Sequence, residues 1–403
     1  MSVRRLSTLS PDLLQGRRVL VRADLNVPLR EGAVADDTRI RASIPTLDLL
    51  TEAGARVVLM SHLGRPDGAP DPAFSLAPVA DRLDGLARGS VSFVGATVGP
   101  LVEERAQALA PGEILLLENT RFLPGETKND PGLAAQLAAL GDLYVDDAFG
   151  AAHRAHASTE GVARAVRERG GLAVAGLLLE KELRFLGDAL DDPERPFVAI
   201  LGGAKISGKI DVVEALLPRV DRLLIGGAMA NTFLLALGLE VGRSLVEEDR
   251  AEMARELMDR AGDRLLLPVD CRVGAEISED ARVRVTPRDG VGESERIGDI
   301  GPETEVLFRD VIMESRTVLW NGPMGVFEMA PYAQGTLAVA RAVADATDGG
   351  AVSVLGGGDS AAAAEAAGVS DRLTHVSTGG GASLEFLAGR VLPGVAALSP
   401  EET

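Results

Sequence analysis

Residues 196–210 read PFVAILGGAKISGKI, and they join a predicted strand to a glycine turn and a predicted helix. Residues 197–201 form a short apolar run rich in branched side chains, which is typical of a strand buried on both faces of a parallel sheet. Gly202 and Gly203 allow a sharp turn and leave the amides there uncovered by side chains. From Ser207 onward the pattern predicts a helix. The turn would therefore point backbone amides and the positive end of a helix dipole at one place.

Two lysines, Lys205 and Lys209, lie beside this turn. The chain contains only two others, Lys128 and Lys181, because its remaining basic residues are arginines. A compact, mobile ammonium suits a polyphosphate. The spacing fits neither GxxxxGK[ST] nor GxGxxG, so no standard phosphate-loop motif is present. Taken alone, the stretch is better explained as a tight turn with two surface lysines, and the scarcity of lysine elsewhere is what favours a phosphate site.

The composition limits the class of protein. A chain of 403 residues, 46% of them hydrophobic, is expected to form two or more domains. The net charge of -19 argues against nucleic acid and anionic membranes as partners, since both would repel it. The single cysteine, Cys271, excludes an intramolecular disulfide and favours a reducing compartment. No apolar run suits a signal peptide or a membrane span, so we expect a cytoplasmic protein.

Predicted strands and helices alternate along the whole chain, which indicates crossover units on mostly parallel sheets. The predicted strands of the first half are 19–22, 57–61, 92–94, 114–117 and 143–145, and the helices between them are 38–53, 76–86, 101–109 and 132–140. The predicted strands of the second half are 197–201, 222–225, 317–320, 352–355 and 374–377. Residues 271–296 alternate and are rich in turns, which predicts a small antiparallel excursion.

The predicted fold class is α/β, with two doubly wound domains that are joined by a hinge helix. Each domain would be a mostly parallel sheet with helices on both faces. The first domain is predicted to span residues 1–170, and the second residues 191–385. Residues 171–190 would form the connecting helix, because GLLLEKELRFLGDAL (176–190) is strongly helical and carries no catalytic-looking residue. Residues 386–403 would form a separate C-terminal segment.

Glycine-rich turns follow the predicted strands of the second half. Ligands of open parallel sheets bind beyond the carboxyl ends of the strands. Five such turns on one edge exceed what folding requires, and they predict a long phosphate-bearing ligand lying against backbone amides. The turns are GGAKISGK (202–209), GGAMANTF (226–233), NGPMGVFE (321–328), GGGDSAAA (356–363) and TGGGASLE (378–385).

Two acidic residues of these turns have two interpretations each. Asp359 could be an ordinary helix N-cap, or it could hold Mg²⁺ beside bound phosphates, because Mg²⁺ takes one or two carboxylates plus phosphate oxygens. Glu328 could accept hydrogen bonds from ribose hydroxyls, or it could be an ordinary solvated glutamate. The motifs alone leave both residues open.

Cations and hydrogen-bonding groups occupy the corresponding positions of the first half. Its post-strand segments are RADLNVP (22–28), DDTRIRAS (36–43), SHLGRPDG (61–68), ENTRF (118–122) and DDAFGAAHRAHAS (146–158). Any one of the cations could be a surface arginine or a satisfied histidine. Several on one edge predict a pocket for a small polyanion, because guanidinium groups match carboxylate and phosphate oxygens. They are Arg22, Arg39, His62, Arg65, Arg121, His153, Arg154 and His156, and Asp24 and Asn26 would contact a hydroxyl of the same ligand.

A nucleotide–Mg²⁺ edge in one domain and an anion pocket in the other predict phosphoryl transfer with closure that excludes water. No Ser–His–Asp elbow, CxxC pair or HExxH cluster competes with this interpretation. No candidate general base is apparent, and an acceptor that is already an ionised carboxylate needs none.

These segments together resemble the phosphoglycerate kinase family, in order and over essentially the whole chain. The strings that carry the resemblance are RVLVRADLNVP, SHLGRPDG, LLLENTRF, DAFGAAHRAHAS, LGGAKISGKI, LWNGPMGVFE, LGGGDSAAA and HVSTGGGASLEFLAG. The resemblance implies reversible phosphoryl transfer between 1,3-bisphosphoglycerate and Mg-ADP, giving 3-phosphoglycerate and Mg-ATP in glycolysis and gluconeogenesis. It also implies a monomer, hinge closure during turnover, and a C-terminal segment that returns to the first domain.

The resemblance also implies roles for individual residues. Arg39 and Lys205 would be catalytic, one beside the migrating group and one following it, with Gly379 and Gly380 in the turn 379–381 that presents helix amides. The phosphoglycerate would be held by Asp24, Leu25, Asn26, Arg39, His62, Leu63, Gly64, Arg65, Arg121 and Arg154. The nucleotide would be held by Gly203, Lys205, Lys209, Gly227, Asn321, Glu328, Gly357, Gly358, Asp359 and Ser360, with Asp359 as the metal ligand.

The chain departs from the family pattern at three places. The family usually has Asp where Gly208 stands, Asn is common where Asp147 follows Asp146, and ESERIGDIGP (293–302) lacks an aromatic run usual before DIGP. Two alternative functions remain at this point. One is a kinase for another carboxylate or phospho-acid, and the other is a non-catalytic nucleotide-binding protein that retains the fold.

Overall fold

The computed structural model describes residues 3–399, apart from the side chains of 188–190. Residues 1, 2 and 400–403, which belong to the predicted terminal segments, lie outside the described residues. The chain divides into two compact units at Arg184/Phe185 and at Arg390/Val391, and the described residues after 390 belong to the first unit.

The first unit contains a six-stranded, all-parallel sheet and a small hairpin. Its strands are β1 (Arg18–Ala23), β2 (Leu29–Arg30), β3 (Ala33–Val34), β4 (Arg56–Met60), β5 (Val91–Val94), β6 (Ile114–Leu117), β7 (Leu143–Asp147) and β8 (Leu172–Ala175). The strand order is β5-β6-β4-β1-β7-β8, and β2 pairs with β3. Because β1 lies between β4 and β7 in parallel register, with Arg22 opposite both Met60 and Asp146, the carboxyl ends of these three strands lie side by side.

Helices cover this sheet and bury its apolar side chains. They are α1 (Thr38–Glu52), α2 (Ala77–Asp84), α3 (Pro100–Ala108), α4 (Pro131–Ala138) and α5 (Val162–Glu168), and α6 (Leu177–Asp191) begins in this unit. Their starts follow local rules, as α4 illustrates: Asp130 accepts the Leu133 amide at 2.8 Å and Pro131 takes the first helical position. The core includes Val19, Leu47, Leu59 and Val145.

The predicted connecting segment differs from the structure in its first part. Residues 172–175 form the strand β8, which pairs with β7, and the helix begins only at Leu177. The alternating small and branched residues LAVA suit an edge strand, and all but the first are buried. The helix α6 then contains the boundary between the two units.

The second unit contains another six-stranded parallel sheet and a separate antiparallel one. Its strands are β9 (Phe197–Leu201), β10 (Arg222–Ile225), β11 (Leu265–Leu266), β12 (Asp270–Gly274), β13 (Arg284–Pro287), β14 (Arg296–Ile300), β15 (Thr317–Asn321), β16 (Val352–Gly356) and β17 (His375–Val376). The parallel order is β11-β10-β9-β15-β16-β17, and the antiparallel order is β13-β12-β14, as predicted for this region. The predicted fold class is confirmed: each unit has a mostly parallel sheet with helices on both faces.

The helices of the second unit are α7 (Ile210–Leu216), α8 (Gly227–Ala236), α9 (Ala251–Ala261), α10 (Pro302–Met313), α11 (Gln334–Asp348), α12 (Gly358–Ala366) and α13 (Gly381–Leu387). One start differs from the prediction, because residues 207–209 form a turn and α7 begins at Ile210. The fully buried Ile206 accepts the amide of Lys209 at 2.8 Å and closes that turn. The core includes Trp320, the only tryptophan of the chain.

A short helix after residue 390, α14 (Pro393–Ala396), packs on the first unit. The side chains of Leu392, Val395 and Leu398 are buried, and the Gly394 amide donates to the Ala152 carbonyl at 2.9 Å. Across the part of the chain that the structure describes, no helix has the length and apolarity needed to span a bilayer.

Candidate active site

In the first unit, hydrogen bonds connect five of the predicted substrate residues through the loops after β1, β4 and β6. Arg39, on the first turn of α1, donates to Asp24 at 3.3 Å and to the Asn26 carbonyl at 3.1 Å. The Asn26 side chain accepts the Gly64 amide at 2.9 Å, and Arg121 donates to the Gly64 carbonyl at 2.7 Å. The structure therefore brings Arg39 and Arg121 to one edge of the sheet, although they lie 82 positions apart in the chain.

Three of the predicted arginines line one cavity of about 390 Å³. They are Arg65, Arg121 and Arg154, and Lys128 and Asp67 also line this cavity. Burial, together with the positive charges of Arg22 and Arg154, lowers the pKa of Arg121 to about 10. Guanidiniums that destabilise one another in this way are stabilised by a bound anion, and the cavity is suited to a phosphate or carboxylate.

His62 is nearly fully buried behind this edge and is neutral at physiological pH. Its burial and the charges of Arg22, Arg121 and Arg39 hold the pKa of the imidazole well below its usual range. Nδ1 of His62 lies 3.0 Å from a guanidinium nitrogen of Arg22. Since a guanidinium can only donate, Nδ1 accepts and the ring proton is on Nε2, which leaves one N–H donor for a ligand.

The structure buries two of the cations that the sequence places at this edge, Arg22 and His156. Arg22 is 1% exposed and gives its donors to the Ser158 hydroxyl at 2.8 Å, to His62 and to the Ala23 carbonyl. His156 is also buried, and burial together with Arg121 and Arg22 lowers its pKa to about 4. Arg22 and His156 therefore belong to a buried layer of polar groups. Both lower the pKa of His62, and Arg22 also lowers that of Arg121.

The residue that organises this buried layer is Glu126, which the sequence did not single out. It is fully buried, and its carboxylate accepts the Ser158 hydroxyl at 2.5 Å, the Ser158 amide at 3.0 Å and the Thr120 hydroxyl at 3.3 Å. Its charge raises the pKa of Arg121 against the lowering effect of burial. A buried carboxylate is stable only when it is paired in this way, and Glu126 supplies the negative charge that this group of cations needs.

Two further predicted substrate residues, Leu25 and Leu63, have their side chains in the core. Any contact with a ligand would therefore come from their backbone. The Leu25 amide donates to Ser61 at 2.9 Å, and the Leu63 carbonyl accepts from Asn119 at 2.7 Å. The Asn119 side chain thereby fixes the loop that carries Gly64 and Arg65.

In the second unit, the ends of three neighbouring strands are in register: Asn321 is opposite Leu201 on one side and Gly356 on the other. The turns that carry Lys205 and Asp359 therefore leave the same edge of the sheet. The Lys209 ammonium donates to the Asn321 carbonyl at 2.8 Å and to its side-chain oxygen at 2.5 Å. Burial lowers the pKa of Lys209 to about 8, while the nearby Asp359 raises it. Lys205 is exposed and makes no hydrogen bond or ion pair within residues 3–399.

Four of the predicted nucleotide residues line one cavity of about 410 Å³. They are Gly203, Gly227, Glu328 and Asp359. Gly227 has φ +67° and packs so closely that a Cβ atom there would lie 2.5 Å from the Gly203 nitrogen. The close approach of these two turns keeps backbone, not side chains, at the cavity wall.

The start of α12 offers free backbone amides, and the predicted residues Gly357, Gly358, Asp359 and Ser360 are all located there. The first amides of a helix have no intrahelical acceptor and are suited to phosphate oxygens. The Ser360 hydroxyl itself is buried and occupied, since it donates to Gly356 at 2.9 Å and accepts the Gly322 amide at 2.6 Å. Gly379 and Gly380 lie directly before α13, where Gly380 has φ +52°.

The acidic residues suit a cation that takes most of its ligands from a substrate. The described residues contain no group of three or more His, Cys, Asp or Glu side chains that could hold a metal ion by themselves. Asp359 is exposed and lines the nucleotide-side cavity. A single carboxylate beside phosphate-binding amides fits Mg²⁺, which binds through one or two carboxylates plus substrate phosphates.

The family model described as "Phosphoglycerate kinase" matches residues 11–390. The chain belongs to the phosphoglycerate kinase family. It is 56% identical to the phosphoglycerate kinase of Chloroflexus aurantiacus over 393 residues, covering 96% of this chain and 97% of the relative. It is 55% identical to that of Chlorobaculum tepidum over 396 residues, with 97% and 99% covered.

Solved structures agree with this assignment. The structure of phosphoglycerate kinase from Coxiella burnetii matches with a TM-score of 0.87 at 42% identity, covering 98% of this chain and 99% of that one. The enzyme from Pyrococcus horikoshii OT3 matches with a TM-score of 0.84 at 33% identity, covering 98% of both chains. The predicted family is confirmed, and with it the prediction that the chain is a kinase, a phosphotransferase.

Proposed function

We propose that this chain transfers a phosphoryl group reversibly between 1,3-bisphosphoglycerate and Mg-ADP, giving 3-phosphoglycerate and Mg-ATP. The observation that carries the proposal is the cavity lined by Arg65, Arg121 and Arg154 in a family member whose other unit exposes glycine turns, Lys205 and Asp359 along one sheet edge. The first suits the small polyanion, and the second suits the nucleotide phosphates.

On the substrate side, the arginine cavity would hold the phosphate of phosphoglycerate. Asp24 and Asn26 would contact the hydroxyl, and the Nε2–H of His62 would donate to a substrate oxygen. Arg39 keeps its contact with Asp24 and Asn26 in this arrangement and would reach the migrating group.

On the nucleotide side, the amides at the start of α12 would hold phosphate oxygens and Glu328 would accept from the ribose. Asp359 would hold the Mg²⁺, which supplies charge neutralisation on the phosphates when it is bound. Lys205, which is exposed, would follow the transferred group, and Lys209 would contact the nucleotide phosphates. The turn before α13, with Gly379 and Gly380, would present amides to the transferring group.

The chemistry needs no general base, because the acceptor is an ionised carboxylate. The transferring phosphoryl group carries high negative charge, so catalysis consists of positioning and of charge stabilisation by Arg39, Lys205 and helix amides. The two bound substrates must meet, and we propose that hinge closure of the two units brings them together while excluding water. We further propose a cytoplasmic monomer that acts in glycolysis and gluconeogenesis.

The test is the formation of ADP from Mg-ATP in the presence of 3-phosphoglycerate. We expect turnover that depends on both 3-phosphoglycerate and Mg²⁺. Acetate, aspartate and glycerate serve as alternative acceptors, and a higher rate with one of them would replace the proposed substrate. ATP binding without turnover on any of these acids would instead identify a non-catalytic nucleotide-binding protein.

A further inference from the structure

The nucleotide-side cavity continues from the glycine turns to a wall formed by α8, by the segment before Leu245 and by the antiparallel sheet. A nucleotide whose phosphates lie at Gly203, Gly227 and Asp359 would place its base against this wall. No aromatic side chain lines the cavity among the described residues, and its only cationic lining residues are Arg243 and Arg296. The base therefore has no aromatic ring to stack on, and any π-contact must come from a guanidinium.

The backbone at Arg243 is held firmly. Its amide donates to the Glu295 carbonyl at 2.7 Å, and its carbonyl accepts from the guanidinium of Arg296 at 2.9 Å. Two residues on, the Leu245 carbonyl accepts from Asn231 of α8 at 3.2 Å. Gly242, with φ +56°, packs against the carbonyls of Gly292 and Glu295 so closely that no side chain would fit.

The two arginines differ in what their guanidiniums do. That of Arg296 is engaged by the Arg243 carbonyl. Arg243 is exposed, and its guanidinium makes no hydrogen bond or ion pair within residues 3–399. A fixed backbone with an uncommitted planar cation at a cavity rim is the arrangement that lets arginine cover a flat ring.

We propose that Arg243 recognises the nucleotide base by laying its guanidinium plane over the purine ring. The assignment rests on the proposed function, because it takes the nucleotide phosphates to lie at the glycine turns. Stacking on a π-face is tolerant of the base, so Arg243 contributes to the affinity for ATP and GTP alike and not to the choice between them.

The experiment measures binding by titration calorimetry, which needs no turnover. ATP, GTP and inorganic tripolyphosphate are titrated into the wild-type protein and into Arg243→Lys and Arg243→Ala, with thermal unfolding to check the fold. We expect both substitutions to weaken the binding of ATP and GTP by about 5- to 20-fold and the binding of tripolyphosphate by less than about 2-fold. The reason is that stacking needs the guanidinium plane and not only its charge. Arg309→Ala, on the exposed surface of α10, should leave all three affinities unchanged.

Three results would overturn the assignment. An equal loss for tripolyphosphate would mean that Arg243 binds phosphate. Wild-type affinity in Arg243→Lys would mean that a point charge suffices, and unchanged ATP affinity in both variants would mean that the base does not contact Arg243. If the wild-type protein turns over phosphoglycerate and the Arg243 variants bind ATP normally, only the assignment of Arg243 is refuted. If the wild-type protein does not turn over phosphoglycerate but the Arg243 variants lose ATP affinity, only the proposed acceptor is refuted.

Discussion

Arg39 holds Asp24 and the Asn26 carbonyl with one guanidinium nitrogen, while 34% of its side chain remains exposed. The other two guanidinium nitrogens are therefore available to a ligand without disturbing these contacts. We expect Arg39→Ala to lower kcat by at least about 100-fold, the scale seen when one transition-state donor is lost. The coupled assay with 3-phosphoglycerate measures it, and Arg41→Ala, an exposed arginine of the same helix that pairs with Asp37, is the control. A rate within a few-fold of wild type would remove Arg39 from the mechanism.

Lys205→Ala should lower kcat by a similar factor of about 100, since the exposed ammonium follows the transferred charge. Because Lys205 is exposed and makes no hydrogen bond or ion pair within residues 3–399, the substitution should leave the unfolding midpoint unchanged. Lys181→Ala, at an exposed position of α6, is the matched control. Loss of activity that is accompanied by loss of stability would point to a structural role instead.

Glu126→Ala should destabilise the first unit by about 3–5 kcal/mol, because it removes the carboxylate that compensates buried cations. The residue is fully buried and accepts three hydrogen bonds, two of them from Ser158, which in turn accepts from Arg22. Calorimetric unfolding measures the effect, and Glu104→Ala on the exposed face of α3 is the control. If Glu126→Ala and Glu104→Ala unfold at the same temperature, the buried layer does not depend on the charge of Glu126.

Among the elements, the helix α6 begins on a buried carboxylate of β7. Asp147 accepts the amides of Leu178 and Leu179 at 2.9 and 3.2 Å, so it caps the helix that contains the boundary between the units. Burial raises its pKa to about 7, with the adjacent Asp146 raising it further and the hydrogen bonds from the Leu178 and Leu179 amides lowering it. Burial also raises the pKa of Asp146 to about 6, against the opposing charge of Arg22.

The pH dependence of stability follows from this shift. Between about pH 4 and pH 7 the folded state keeps a proton on Asp147 that the unfolded state has lost, so the stability contributed by this group falls as the pH rises. We expect Asp147→Asn to be as stable as wild type near pH 4 and more stable at pH 8, by about 1–3 kcal/mol.

Urea unfolding at pH 4, 6 and 8 measures the difference between the two proteins. Asp142→Asn is the control, because the hydrogen bonds from Arg18 lower that pKa and its contribution stays constant above pH 5. A constant difference for Asp147→Asn across this range would show that Asp147 is ionised in the folded protein throughout.

The start of α8 depends on glycine for a different reason. Gly227→Ala should destabilise the second unit by about 2–4 kcal/mol, since it adds both a strained φ and a Cβ against Gly203. Gly238→Ala, after the same helix, has φ +80° but open space around it, so it should cost about 1 kcal/mol. The fluorescence of Trp320, in the core of this unit, measures both in urea. An equal loss of stability in the two variants would mean that the turns at Gly203 and Gly227 can move apart to admit the Cβ atom.

The sequence predicted most elements because their patterns are local. The branched run 197–201 gave β9 with its bounds unchanged, and the helix 38–53 differs from α1 by one residue. It did not predict β8 or the two-residue β11, because small residues and very short runs have no distinctive period. Nor could it place Arg22, whose partner Ser158 lies 136 positions away, since strand periodicity does not say which polar side chain is covered. The prediction of Arg65, Arg121 and Arg154 on one edge succeeded because parallel strands end together.

At the scale of the whole molecule, the first unit is assembled from two separate parts of the chain. Deleting the residues from 391 onward should destabilise this unit by about 5 kcal/mol, because three large buried apolar side chains would be lost. Those side chains are Leu392, Val395 and Leu398, and Arg167 would also lose the Ala397 carbonyl as its acceptor.

The truncated protein is compared with the full chain by circular dichroism and by Trp320 fluorescence. The fluorescence reports the second unit, whose core contains none of the deleted residues. We expect a lower midpoint by circular dichroism and an unchanged fluorescence transition. A variant with Val391, an exposed residue, changed to Ala is the control. Identical circular dichroism midpoints would mean that the segment contributes nothing to the first unit.

This interleaving has a consequence during synthesis on the ribosome. Residues 185–390 are translated before α14, so the second unit has all of its chain while the first still lacks the piece that covers Ala152. A nascent chain that stalls within those residues leaves apolar surface of the earlier unit open to water and to chaperones. The first unit, although it is translated first, can therefore finish folding only after α14 has been synthesised.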